Sequence, residues 1–247
     1  MTPLLKKPLL VFAATALALL PACAQAGSGS KAEMEKIVRE YILENPEIIE
    51  EALIVLRDRD IAAEAAAVKA AIAENKDALY NHTGDYSIGP ADAKVTLVEF
   101  FDYRCGYCKS SVNWVRALPE AYDGQVRVVF KELPIFDGIS RTAALAALAA
   151  GKQGKYVELH VALMNLKSND DLTEAKIDEL AAAQGINVAK MRADMKSDAV
   201  QKQLTEMRAL GQTLAVTGTP GFFIGDEHIE GANTDAIEAA IKAALAS

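Results

Sequence analysis

Cys105 and Cys108 stand three residues apart, separated by Gly106-Tyr107. Two thiols at that spacing can close and open one disulfide, and can hand it to another polypeptide through a mixed disulfide. The flanking sequence decides how reactive they are. The run Lys94-Val95-Thr96-Leu97-Val98-Glu99-Phe100-Phe101 is rich in β-branched, aliphatic and aromatic residues and reads as a mostly buried strand. Ser111 to Leu118 reads as a helix. The pair therefore occupies a strand-to-helix turn, with Cys105 at the helix mouth, where free N–H groups and the helix dipole favour a thiolate. Such a thiol is a nucleophile at neutral pH, and Cys108 is placed to resolve the mixed disulfide. The competing uses of the motif are weaker. Structural zinc needs four ligands, and Cys23 and the scattered His82, His160 and His228 do not supply them. A structural disulfide closing so short a loop would stabilise little. No metal or organic cofactor is expected.

Further candidates lie on the same strand and far downstream. Glu99 is a carboxylate in an otherwise apolar strand, six residues before Cys105. Burial raises a carboxyl pKa and lets the group pass protons. Lys131, near the end of the next strand at 126–131, is a partner for it. In Val216-Thr217-Gly218-Thr219-Pro220-Gly221-Phe222-Phe223-Ile224, Pro220-Gly221 supplies a sharp turn of the kind in which a cis X–Pro bond costs little.

Together these two stretches carry a family likeness. Val98 to Cys108 resembles the active-site strand and turn of the DsbA-like thiol:disulfide oxidoreductases, and Val216 to Ile224 resembles their cis-proline loop. The resemblance covers about residues 80–247. It implies a thioredoxin-like α/β fold with an inserted helical domain. It also implies that Cys105 attacks and Cys108 resolves, that Glu99 takes part in proton transfer with Lys131 as a lesser candidate, and that Thr219 and Pro220 hold an extended substrate over the sulfurs beside Gly106 and Tyr107. Thr219 is further expected to hydrogen-bond the Cys105 sulfur and tune its pKa. Gly106-Tyr107 departs from the Pro-His of the family's strongest oxidants. The N-terminal helical region and the Gly-Tyr pair resemble the branch of the suppressor of copper sensitivity protein C and the 27 kDa outer-membrane-associated proteins. Disulfide isomerase or reductase action is the expected activity, with dithiol oxidase action, or a thiol-based copper-binding or chaperone role, as the alternatives. The implied partners are cysteine-containing secreted proteins and a membrane donor that recycles the pair.

The chain begins with what reads as a secretory signal, residues 1–26. Lys6 and Lys7 precede an apolar stretch from Leu9 to Leu20, and Ala24-Gln25-Ala26 fits an A-x-A cleavage site. This places the protein in the periplasm. The alternative makes Cys23 a lipidated first residue, although Pro21 sits poorly in such a motif. Cleavage after Ala26 removes two lysines and no acids, taking the formal charge from −8 to −10. An acidic protein is a poor partner for nucleic acid.

Residues 27–79 read as an N-terminal helical segment. Met34, Ile37, Val38, Tyr41 and Ile42 recur at helical spacing. Asn45 and Pro46 are expected to cap and open a second helix running to about Asn75, with Ile61, Ala65, Val68 and Ile72 forming a coiled-coil-like seam. This apolar stripe needs a partner. Self-association through residues 30–75 is expected, with folding back onto the catalytic domain as the alternative. Within 80–247, a short edge strand is expected near 85–88 and Trp114 is expected in the core. A helical block is expected over about 135–213, with Gly151 closing its first helix. A hairpin at 221–230 and a final helix at 234–246, capped by Asn233, complete the chain.

Overall fold

The structure, a computed structural model, describes residues 30–246. The chain divides into two compact units, Met1–Asp58 and Arg59–Ser247. Two helices open it: α1 (Lys31–Glu44) and α2 (Glu47–Glu74), the latter contributing to both units. The first unit buries none of its α1 side chains, and Met34, Ile37, Val38 and Tyr41 are all exposed. Asn45 does not cap α2. Its side-chain Nδ2 donates to Tyr41 O at 2.9 Å, so it closes the preceding helix. The proline that follows prevents α2 from continuing α1 through this point.

In the second unit the elements run α3 (Lys76–Tyr80), β1 (Tyr86–Ile88), β2 (Val95–Phe101), α4 (Gly106–Ala121) and β3 (Val126–Glu132). Then come five α-helices, α5 (Ile139–Gly151), α6 (Tyr156–Met164), α7 (Glu174–Ala183), α8 (Val188–Asp194) and α9 (Asp198–Thr213), with a short 3-10 turn at Asn169–Asp171 between α6 and α7. The chain ends in the hairpin β4 (Gly221–Ile224) and β5 (Glu227–Glu230) and the helix α10 (Thr234–Ala246). The sheet order is β1-β3-β2-β4-β5, with β2 and β3 parallel and the other pairs antiparallel. The β2-α4-β3 crossover and the β4-β5 hairpin make the thioredoxin-like frame, and α5–α9 are its insertion. Asn233 Oδ1 accepts from Ala236 N at 3.2 Å and so caps α10.

Side chains alternate between the faces of a strand, and the parallel register sorts them. Glu99 lies opposite Phe130, and Phe100 opposite Lys131. Leu97, Phe101, Val128 and Phe130 therefore share one core with both cysteines. Val98, Phe100, Val129 and Leu133 share the other core with Leu79, Leu210 and Leu214. Ile72 is buried in this second core, and Val68 packs against it. The last turns of the α2 seam thus fold onto the catalytic unit, while Ile61 stays exposed.

This register separates the expected Glu99–Lys131 pair. Lys131 points into the second core, where Nζ bonds Ala78 O at 2.6 Å and pairs with Asp85 Oδ2. Gly151 also has a role beyond ending a helix. A Cβ there would come within 2.0 Å of the Tyr86 ring, so only glycine leaves room for that ring, which stacks on Tyr156 at 4.3 Å. Trp114 is only partly buried; Nε1 sits 3.5 Å from Glu238 Oε1.

Both members of the Asp85–Lys131 pair are nearly inaccessible, at 1% and 2% side-chain exposure. Removing one partner of a buried pair strands the other charge. Asp85→Ala should therefore lower unfolding stability by about 3–5 kcal/mol. Asp85→Ala with Lys131→Met should recover part of that loss, as read by urea denaturation. Equal losses in the single and double variants would show that the pair is not coupled.

Candidate active site

Cys105 is the N-cap residue of α4 and Cys108 lies in its first turn. Both are thiols, 6% and 0% exposed respectively. Only Cys105 is within reach of another molecule. Gly106 and Tyr107 between them are exposed, Tyr107 at 70%. The turn is held by Cys105 N donating to Asp102 O at 3.1 Å and by Lys109 N donating to Cys105 O at 3.1 Å.

The loop before β4 faces the pair. The Thr219–Pro220 peptide is cis, and the Cys105 thiol donates to Thr219 O at 3.0 Å. Thr219 Oγ1 is buried and has no hydrogen-bond partner with ordinary geometry. Its hydroxyl is therefore available to the sulfur once that sulfur is charged.

The Cys105 pKa is lowered to about 5. The largest cause is donation from the Cys108 thiol. Thr219 and the backbone N–H groups of Cys108 and Tyr107 add to it, against the opposing cost of burial. Cys108 moves the other way. Burial comes first, then its bond to Cys105 and the charge of Glu99, all keeping it a thiol. The two sulfurs are thus split into an accessible thiolate and a buried, proton-bearing neighbour, as attack followed by resolution requires.

Glu99 is buried on the cysteine-facing side of β2, and its pKa is pushed up to about 8, by burial first and then by the charge on Cys105. Its proton would thus exchange near neutral pH, the range useful to an acid–base group. Lys131 is not part of this site. One strand step of register sends it to the opposite face.

The sequence reading missed a second buried polar cluster under the same turn. Glu132 Oε1 accepts from Tyr103 at 2.9 Å and from Tyr156 at 2.8 Å, and Tyr103 OH lies 3.3 Å from His160 Nδ1. A glutamate ending an apolar strand was the only signal for it. Among the described residues no group of three or more His, Cys, Asp or Glu could hold a metal ion.

The family model for thioredoxin matches residues 81–243, and that for the copper resistance protein ScsC N-terminal domain matches residues 31–63. A linker-deletion variant of ScsC from Proteus mirabilis superposes with a TM-score of 0.67 at 31% identity, covering 90% of this chain and 99% of that one. The chain belongs to the ScsC/DsbA-like thioredoxin family. A further family member, the thiol-disulfide exchange protein alpha-DsbA2 from Wolbachia pipientis, superposes at 0.66 with 27% identity, covering 73% of this chain and 97% of that one. The family likeness is thus to thiol–disulfide oxidoreductases. A curated relative, the Na(+)/H(+) antiporter NhaA 3 of Salinispora tropica, is 35% identical over 175 residues. That match takes in 66% of this chain and 25% of the antiporter, so the chain spans about a quarter of the length of the curated relatives it matches. Among the described residues no helix is long and apolar enough to cross a membrane.

For this family site, a thiol whose pKa falls on folding gives the unfolded state more bound protons over the window between the two values. From pH about 5 to 9.0 the reduced protein should therefore gain stability relative to Cys105→Ala as pH rises, and the gain should be lost as pH falls through about 5. Urea titrations of both proteins across that range check it; a difference independent of pH would rule out an acidified Cys105. Thr219→Val should shift the loss toward higher pH.

Proposed function

We propose that this protein is a periplasmic thiol–disulfide oxidoreductase that exchanges disulfides with cysteine-containing secreted polypeptides through Cys105 and Cys108. The observation that carries this reading is the split between the two sulfurs: Cys105 lowered to about 5 at the mouth of α4, and Cys108 fully buried beside it. The Cys105 thiolate attacks a client disulfide, forming a mixed disulfide and releasing the client's other sulfur as a thiolate. Cys108 then loses its proton, attacks Cys105 and frees the client sulfur as a thiolate, which takes a proton from solvent, leaving the Cys105–Cys108 disulfide. Forming the mixed disulfide removes the Cys105 charge that helps hold the Glu99 proton, and in its ionised form Glu99 is the group we assign to accept the Cys108 proton, since it lies on the same sheet face and its charge acts on Cys108. Thr219 and Pro220 hold the client backbone over Cys105, with Gly106 and Tyr107 forming the exposed lip.

The direction we favour is disulfide isomerase or reductase, with the pair kept reduced by a membrane donor. Support comes from the N-terminal helices. Their apolar side chains Met34, Ile37, Val38 and Tyr41 are exposed, and an apolar stripe needs to be buried. Assembly of several copies through this segment would set more than one reduced pair around a single client. The leader-like N-terminus, which supports export, lies outside the described residues, as does Cys23 with its lipidation alternative. A dithiol oxidase uses the same site in the opposite sense, and a copper-binding protein would use the two thiols without turnover.

Cys105→Ser should abolish exchange, and Cys108→Ser should accumulate a mixed disulfide with a model client. Reactivation of scrambled ribonuclease by the reduced protein should exceed its oxidation of reduced ribonuclease. Efficient oxidation without reactivation would favour the oxidase, and tight copper(I) binding without turnover would reject both. Removing residues 27–58 should reduce the solution mass to that of a monomer and depress reactivation, with simple thiol exchange retained.

A further inference from the structure

Each of the three residues in front of Cys105 is fastened to the helical insertion or to the linker entering it. The buried Asp102 carboxylate accepts from Arg104 N at 2.6 Å, from Phe136 N at 3.2 Å and from Ser140 Oγ at 2.8 Å. Ser140 is in α5, and Phe136 is in the linker out of β3. Tyr103 reaches α6 twice, through His160 and through Glu132, whose Oε1 it shares with Tyr156. The carbonyl of Arg104 accepts from Asn169 Nδ2 at 2.8 Å, and its guanidinium lies 5.6 Å over the Phe136 ring.

Glu132 is the least expected member. It is 1% exposed, among Phe130, Tyr103, Tyr156 and His160, and its Oε2 is buried without a hydrogen-bond partner. An unpartnered buried oxygen is costly, and the other oxygen offsets that cost by accepting from two buried hydroxyls that would otherwise lose this acceptor. Glu132 pairs with Phe101 in the register, two residues on from the Glu99–Phe130 pair, so both carboxyls lie on the cysteine-facing side. Burial holds Glu132 well above the usual carboxylate range, with the charges of Asp102 and Glu99 adding to the rise. Burial thus favours the proton-bearing form, with one oxygen fixed for two hydroxyls.

We propose that Glu132 and Tyr103 are positioning residues through which the helical insertion fixes the cysteine turn, and that breaking this link shifts the dithiol–disulfide balance toward the disulfide. The proposal rests on the exchange function assigned above. A loosened turn holds the Cys105 charge less well and so disfavours the reduced form. The balance is read against glutathione: two glutathione thiols give two electrons to the Cys105–Cys108 disulfide and become glutathione disulfide. Of their two protons, one ends on Cys108, and the other passes to solvent because Cys105 stays a thiolate at neutral pH.

The test compares Tyr103→Phe, Glu132→Leu and Glu132→Gln in the full chain. Cys105 ionisation is followed by thiolate absorbance at about 240 nm, and the glutathione equilibrium is measured at pH 7. Each unit by which the Cys105 pKa rises cuts the thiolate fraction in the acid range about tenfold. Tyr103→Phe and Glu132→Leu should show that fall, with a matching shift of the equilibrium toward the protein disulfide. Glu132→Gln keeps an oxygen acceptor and should stay close to the parent. Folded variants with lowered melting temperatures but parental ionisation and equilibrium would overturn the proposal and leave a purely structural role. If Glu132→Leu does not fold, Tyr103→Phe, which loses one oxygen, decides. The ionisation is read without a client, so a parent inert toward clients would sink the functional reading while this test still gave its own answer.

Discussion

A negative charge on a nearly enclosed sulfur is the constraint on which the site depends. Water alone does not stabilise it, because Cys105 is only 6% exposed. The protein supplies the donors instead: the Cys108 thiol first, then Thr219 and the backbone N–H groups opening α4. Each must be in place before the charge appears, so the turn has to be rigid where it meets the sulfur. The lip can stay open, and at Gly106 and Tyr107 it is exposed. Rigidity below and exposure above suit a thiolate that must keep its acidity while accepting varied partners.

The sheet register places the second charge. Glu99 faces the sulfurs because β2 alternates and Leu97 and Phe101 do likewise. The same alternation on β3 sends Lys131 to the opposite face, where it pairs with Asp85 and donates to Ala78 O. Had Lys131 faced Glu99, an ion pair would have held that carboxyl charged well below neutral pH. Its absence leaves burial and the Cys105 charge in control, and both push Glu99 up to about 8. A carboxyl kept from its expected partner is thereby left able to exchange a proton near neutral pH.

Much of this was legible in the sequence where short-range rules govern. The apolar run at 95–101, the helix after Cys105, the 221–230 hairpin and the final helix follow from periodicity, propensity and turn residues, and their placement needs no knowledge of neighbours. What failed needed a partner distant in sequence. Lys131 was assigned by position near a strand end, but its face depends on the register of β3 against β2. Asn45 suits an N-cap by type, yet its amide finds the carbonyl of Tyr41. Gly151 reads as a helix stop, although what requires it is the Tyr86 ring, brought in by a strand far upstream. The Glu132 cluster gathers residues from β3, the cysteine turn and α6, and no local pattern announces such a meeting.

Two ionisations at the site oppose each other, and the sign of each follows from the direction of its shift. Cys105 is lowered from 9.0 to about 5, so between those values the unfolded chain holds the extra proton and folding is favoured as pH rises. Glu99 is raised from 4.5 to about 8, so between those values the folded chain holds the extra proton and folding is disfavoured as pH rises. The windows overlap from about 5 to about 8, where the two slopes cancel. A proton that Cys105 gives up on folding is in effect retained by Glu99, whose side chain is buried. The site can therefore keep one thiolate and one proton-bearing carboxyl together across the neutral range without a net stability penalty that varies with pH. That pairing of a ready nucleophile with a ready proton carrier is what stepwise sulfur exchange needs, and it arises because one group is solvated by donors and the other is not.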